Sequence, residues 1–230
     1  MQPLQVSIDR AIAEAPEHAI RLAALAAAHR KRHRKKDVHD ILAHWEPAAG
    51  TYCYQTHIAF STVSVDTFEW LVDTFYHAAT LTEQPWYAQF LGGEAQALGQ
   101  APAPGVDKHQ LALGQFNLGL PRPRCYRQLL SLTRYGSATR VITARSVNEG
   151  PPVPLKTTLA YTLAPNGEVL HFEHGVLHWH HICCTPGAGL LPQPLDRWLI
   201  NTLRRCGLDS AERDTYREEA QQLRTWVLSR

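Results

Sequence analysis

The stretch CYRQLLSLTRYGSATRVITARSV, residues 125–147, decides how this chain folds. Two runs rich in leucine and β-branched residues flank Tyr135-Gly136-Ser137-Ala138, the pattern of a β-hairpin. Gly136 and Ser137 as a two-residue turn predict Leu132 opposite Val141, Leu130 opposite Thr143, Gln128 opposite Arg145 and Tyr126 opposite Val147. Side chains alternate along a strand, so these residues share one face, and Arg127, Ser131, Thr133, Arg140 and Ser146 share the wetter one. The drier face then carries one cation, Arg145, beside Gln128. A guanidinium turned inward is costly unless paired, so Arg145 either anchors the polar end of an otherwise apolar ligand or makes a structural hydrogen bond at an edge or cavity mouth.

Moving outward from the hairpin, residues 157–164 read as a strand that turns through Pro165-Asn166-Gly167 into residues 169–174, followed by the strand VLHWHHICC at 176–184. A Gly/Pro-rich segment, 185–194, ends the sheet and leads into helical sequence at 195–206. Gly207 interrupts, and Asp209 with Glu212 forms a capping box for a helix over 210–228. Upstream, YCYQTHIAF at 52–60 is a strand and 65–79 a helix, with Ser64 and Asp66 as caps and a broad apolar stripe of Val65, Phe68, Trp70, Leu71, Val72 and Phe75. Residues 85–123 hold two or three short strands. Residues 8–45, rich in Ala, Leu, Glu, Arg and Lys, predict one or two helices broken only by Pro16. The order of elements is α+β rather than alternating βαβ units. It divides into an N-terminal helical extension, 1–47, and one ligand-sized domain, 48–230, whose terminal helical segment offers Leu195, Trp198, Leu199, Leu203, Leu223 and Val227 to the concave side of the sheet.

Composition narrows the function classes. A hydrophobic content of 44% with 19% charged residues belongs to a folded chain, and a net charge of +2 is too small for the whole domain to be read as a nucleic-acid binder. The basic run RKRHRKK, 30–36, reads as a solvated helix face, with membrane-surface contact or a nuclear address as the other readings. No apolar run reaches the ~20 residues that span a bilayer, and the first residues lack a basic-then-apolar leader. Five cysteines, an odd number without CxxC spacing, fit a reducing compartment better than a disulfide framework, so the expected location is cytoplasmic.

Three stretches carry a family resemblance. NLGLPRPRCYRQLLSLTRYGSATRVITARSV at 117–147, EVLHFEHGVLHWHHICCTPGAGLLPQPLDRWLIN at 168–201, and the strand and helix at 56–79 with Trp86 after them resemble the StAR-related lipid-transfer (START) domain and the wider helix-grip superfamily, polyketide cyclases included. The resemblance covers about residues 52–228. It implies a curved antiparallel sheet around a long C-terminal helix, a lipid or other hydrophobic small molecule inside, and access through movement of 117–123 and the C-terminal helix. It departs from the family at Leu130, which stands by spacing from the Pro-Arg step where sterol carriers often have an interior arginine.

The expected function is therefore non-catalytic binding or transfer of a hydrophobic ligand, with Tyr126, Gln128, Leu130, Leu132, Val141, Thr143, Arg145 and Trp198 as ligand-binding residues. The alternatives are a cyclase-like acid/base enzyme, which needs two titratable groups around one reactive position, and an interaction module with a filled interior. In the strand at 176–184, His178 and His180 share a face with Cys184, while His181 and Cys183 share the other with Trp179. The spacing matches no zinc signature, so these residues read as core and cavity-wall side chains, and no metal is expected. With no P-loop, Rossmann fingerprint or nucleophile elbow, no cofactor is expected either.

Overall fold

The computed structural model describes residues 3–32, 39–47, 49–80, 90–98, 105–117, 122–147, 150, 152, 156–160, 163–184, 193–207 and 209–229. Trp86, the basic run beyond Arg32 and the Gly/Pro segment 185–192 lie outside them. The elements are α1 (Pro3–Arg32), β1 (His39–Glu46), β2 (Thr51–Ser61), α2 (Val65–Tyr76), β3 (Phe90–Ala97), β4 (Lys108–Phe116), β5 (Arg124–Tyr135), β6 (Thr139–Ser146), β7 (Thr158–Ala160), β8 (Leu163–Glu173), β9 (Val176–Cys184), α3 (Gln193–Arg205) and α4 (Ser210–Leu228). The strands form one sheet in the order β1-β2-β9-β8-β6-β5-β4-β3, antiparallel throughout, and β7 adds a short parallel pairing to β5.

One face of this sheet, called here the grip face, packs against α2 and α4. Ile58, Phe60, Leu130, Leu132, Ile142, Leu170, Leu177 and Trp179 meet Phe68, Leu71, Val72 and Phe75 of α2 and Ala220, Leu223 and Val227 of α4. Ser64 caps α2 as its residue type predicts, its Oγ accepting from the Thr67 backbone N–H at 3.0 Å. The opposite, back face is covered by α1. Ile8, Ala11, Ala15, Ala19, Leu22, Ala26 and His29 are all buried, at the three- and four-residue spacing that keeps one stripe of a helix on its support. The small alanines let the helix sit close. Leu22, fully buried, contributes about 1.5–3 kcal/mol by the usual scale of apolar burial.

Four expectations are corrected. Residues 39–46 are not helical but form the edge strand β1, paired with β2 from His39↔Ile58 to Glu46↔Thr51, so the sheet begins before residue 48. Helix-forming composition yields here to cross-strand pairing. Pro165-Asn166-Gly167 is not a turn; it lies inside β8, where pairing to β9 skips between Leu163 and Gly167. Asp209 does not cap α4 through its side chain, because its carboxylate accepts from Tyr54 Oη at 2.5 Å and Arg213 Nε at 2.9 Å. Finally, Cys53 and Cys184, directly opposed on β2 and β9 with Cα atoms 4.4 Å apart, form a disulfide. That bond withdraws the cysteine-count argument for a reducing compartment. Among the described residues, no helix is long and apolar enough to cross a membrane.

The hairpin is the most consequential difference. Tyr135 pairs with Thr139, so the loop holds Gly136, Ser137 and Ala138, one residue more than the two-residue turn. Gly136 supplies the positive φ of 60° that this loop requires. One added residue slips the register by one and turns every β6 side chain to the other face. Gln128 now opposes Ser146, Leu130 opposes Ala144, and Leu132 opposes Ile142.

Candidate ligand site in the grip

The slipped register divides the expected ligand-binding set. Tyr126, Gln128, Leu130 and Leu132 are on the grip face, whereas Val141, Thr143 and Arg145 are on the back face beneath α1. Arg145 donates to Glu14 of α1 and approaches His18 Nε2 at 3.5 Å, so its charge is matched by the helix and not by a ligand in the grip. An Arg145→Leu variant is expected to lose about 1 kcal/mol of stability and to leave anything bound in the grip unchanged, readable by urea unfolding and native mass spectrometry. Trp198 is 66% exposed on α3, because that helix turns its polar side to the sheet. Asn201 accepts from Thr51 Oγ1, and Arg204 Nη1 donates to the same hydroxyl.

What the register assembles instead is a polar segment in an apolar floor. Across the sheet, Ile41, Thr56, His181, Glu168, Ile142 and Leu132 oppose one another in a single row from β1 to β5. His181 Nδ1 donates to Glu168 Oε1 at 2.6 Å, and its imidazole shares a further side-chain hydrogen bond with Cys183. Burial alone would lower the basicity of this imidazole. The Glu168 carboxylate and the two hydrogen bonds overcome that, and His181 is held charged well above the usual histidine range. Trp179 stacks on it from the same strand, ring centres 6.0 Å apart, and Tyr216 of α4 closes the other side at 6.2 Å.

From α4, Glu219 faces this pair. Burial between helix and sheet pushes its carboxyl up to about 8; the His181 charge opposes the rise and the Glu168 charge adds to it. At neutral pH a charged His181 thus lies beside a neutral Glu219. Three buried atoms around it have no hydrogen-bond partner among the described residues: Thr56 Oγ1, Glu168 Oε2 and Trp179 Nε1. Between them they offer two donors, the Thr56 hydroxyl and Trp179 Nε1–H, and one acceptor, Glu168 Oε2.

His181, Cys183 and Trp179 were legible in the sequence as one strand face. Glu168, Thr56 and Glu219 were not, since nothing local in the chain brings them to His181. The other histidines of that strand face α1, where His57 Nε2 lies 3.1 Å from His178 Nδ1 and the rings of His57 and His180 stack at 4.3 Å. Among the described residues no three His, Cys, Asp or Glu side chains converge as metal ligands.

Comparison with known proteins gives the fold a name. Human StAR-related lipid transfer protein 5 superposes with a TM-score of 0.56 at 13% identity, covering 92% of this chain and 97% of that one. A STAR-related lipid transfer protein from Xanthomonas axonopodis also gives 0.56, at 11% identity over 84% of this chain and 96% of that one. Human STARD10 gives 0.50 at 11% identity, over 81% and 71%. Neither a protein-family model nor a curated protein sequence matches the chain. At these identities the likeness is one of fold.

Proposed function

We propose, with the START-like helix-grip fold as premise, that this protein binds a hydrophobic small molecule of the lipid class between the grip face and α4. The observation that carries the reading is the row Thr56–His181–Glu168, with its partnerless buried atoms, set in a floor otherwise made of Ile41, Ile142, Leu132 and Leu130. A buried polar atom without a partner costs roughly 1–3 kcal/mol, and the polar end of a ligand offsets that cost. The apolar remainder binds by burial at about 25 cal/mol per Å². Arg145 has no part in it.

A second reading has a specific observation of its own. An acid/base catalyst needs two titratable groups at one position with separated protonation states, and His181, Glu168 and Glu219 meet that description. The interaction-module reading loses its partner-binding arm, because the apolar stripe of α1 is already spent on the back face of the sheet.

The test is native mass spectrometry of the gently isolated chain, followed by titration with a fluorescent fatty acid and a fluorescent phospholipid. Glu168→Gln should weaken binding of whichever probe is taken up by about 10-fold or more, the worth of one charge-assisted hydrogen bond. A protein that carries no bound mass and takes up neither probe would remove the reading.

A further inference from the structure

We infer that the Cys53–Cys184 disulfide is a redox-sensitive latch. Closed, it holds the end of the sheet to which α3 and the start of α4 are fastened; reduced by a dithiol, it frees that end and loosens α4 over the grip. The latch stands apart from the ligand reading, since it concerns how the grip is closed and not what it holds.

The regular pairing of β9 runs out where the disulfide begins. β2 pairs with β9 from Ser61↔Val176 to Tyr54↔Cys183, and one step further Cys53 and Cys184 oppose each other, joined by their sulfurs. On the other side of β9, pairing with β8 is regular from Glu173↔Val176 to Gly167↔Ile182. It then skips to Leu163↔Cys184, so Ala164, Pro165 and Asn166 stand against Cys183 alone. A proline has no N–H to give to a ladder, and the Pro165 carbonyl oxygen lies 3.8 Å from Cys53 Sγ. The covalent bond thus does at this end what ladder pairing does along the rest of β9.

The closure of the grip hangs on this end. Thr51, two residues before Cys53, holds Asn201 and Arg204 of α3, and Asn201 Nδ2 also donates to the Gly50 carbonyl at 3.0 Å. Tyr54, the residue after Cys53, donates to Asp209 at the head of α4. Cys184 is the last residue of β9, from which the chain runs on to α3. Both cysteines are fully buried, in one cluster with Ala19, Leu22 and Ala26 of α1. A reductant therefore reaches the sulfurs only when this end frays, and fraying of a weakly paired end needs no unfolding elsewhere. A thiolate of the dithiol attacks one sulfur, the other cysteine leaves as a thiolate, and a mixed disulfide forms. The second thiol of the reductant breaks that bond and closes the reductant into its own disulfide, so two electrons and two protons pass to the cysteine pair. The far end of the ladder, with Ile58 and Phe60 beside Leu177 and Trp179, stays paired and packed on α2.

The experiment treats the full chain, purified without reductant, with dithiothreitol at neutral pH and no denaturant, and follows iodoacetamide labelling of Cys53 by mass spectrometry. Cys53 should be unreactive at first and then become labelled at least about 10-fold faster than the chain unfolds, the unfolding rate being extrapolated from urea. Amide hydrogen exchange of the reduced chain should rise about 10-fold or more over residues 51–54, 180–184 and 193–216, and stay unchanged over 57–61, 176–179 and α2. Cys53→Ala combined with Cys184→Ala should show the exchange of the reduced chain with or without dithiothreitol. Should that variant fail to fold, the oxidised and reduced forms of the unaltered chain decide alone. Labelling no faster than unfolding, or exchange that rises evenly along β2 and β9, makes the bond a staple of the whole fold and overturns the latch. Cys53 that reacts before any reductant is added overturns it too, as does reduction that leaves α3 and α4 unchanged.

Discussion

Gly167→Ala is expected to cost more than about 3 kcal/mol, lowering the melting temperature by roughly 6–12 °C if the chain still folds. Gly167 has φ of +152°, a conformation that L side chains rarely adopt, and an added Cβ would lie 2.1 Å from the Ile142 carbonyl oxygen. That oxygen belongs to the backbone of β6, which pairs with β8 at Thr143↔Gly167, so it cannot move aside without breaking the ladder. The same Cβ would come within 3.0 Å of Leu22 Cδ1, which pushes α1 off the sheet. Gly136 is the control: its φ is +60° but nothing lies within 4 Å, so Gly136→Ala should lose only about 1–2 kcal/mol. Urea unfolding of the two variants side by side makes the comparison. Equal losses would show that the close approach of β6 at Gly167 is not what the glycine serves.

Mild acid should detach α1 before it opens the grip. Beneath the C-terminal half of α1, His29 packs against His57 and His180, with His178 and His171 continuing the row. The facing charges are Arg30 from α1, which disfavours further protons, and Glu173 from β8, bonded to His171 at 3.3 Å. Burial, reinforced by Arg30, pushes His178 down to about 4, and burial with the neighbouring histidines pushes His180 well below the usual range. His171 is lowered as well. Each binds its proton more readily in the unfolded chain, so the unfolded state gains protons first as pH falls below about 6.5. Stability present above that value is lost progressively down to about pH 4. His181 acts with the opposite sign: its raised basicity stabilises the folded state fully below about pH 6.5, and that contribution is lost as the pH rises above it.

The loss assigned to His178, discounted for its partial exposure, is on the order of 2 kcal/mol. Amide hydrogen exchange at pH 7.5, 5.5 and 4.5 should show residues 19–32 losing protection while α4 keeps it, and His180→Phe should flatten the dependence. Unchanged protection in α1 between pH 7.5 and 4.5 would refute the account, as would earlier opening of α4.

Both expectations depend on contacts between distant segments, and that separates what could be read in the chain from what could not. The helix-grip order of elements was legible, because period-two strands at 52–60 and 176–184 and the capped helix at 65–79 are local patterns that survive packing. The face shared by Trp179, His181 and Cys183 was legible for the same reason, since alternation along one strand needs no partner.

Register was not legible. The hairpin at 125–147 reads equally well with two loop residues or three, and that single residue moved Arg145 from the grip to Glu14 of α1. The chain by itself therefore determined which residues lie together along each strand. Only the tertiary structure decided which strands face one another and in what step, bringing Glu168 to His181 and joining Cys53 to Cys184 across 131 residues. Alternation is set by the backbone of a single strand, whereas opposition is set by turn length and by packing from elsewhere in the chain.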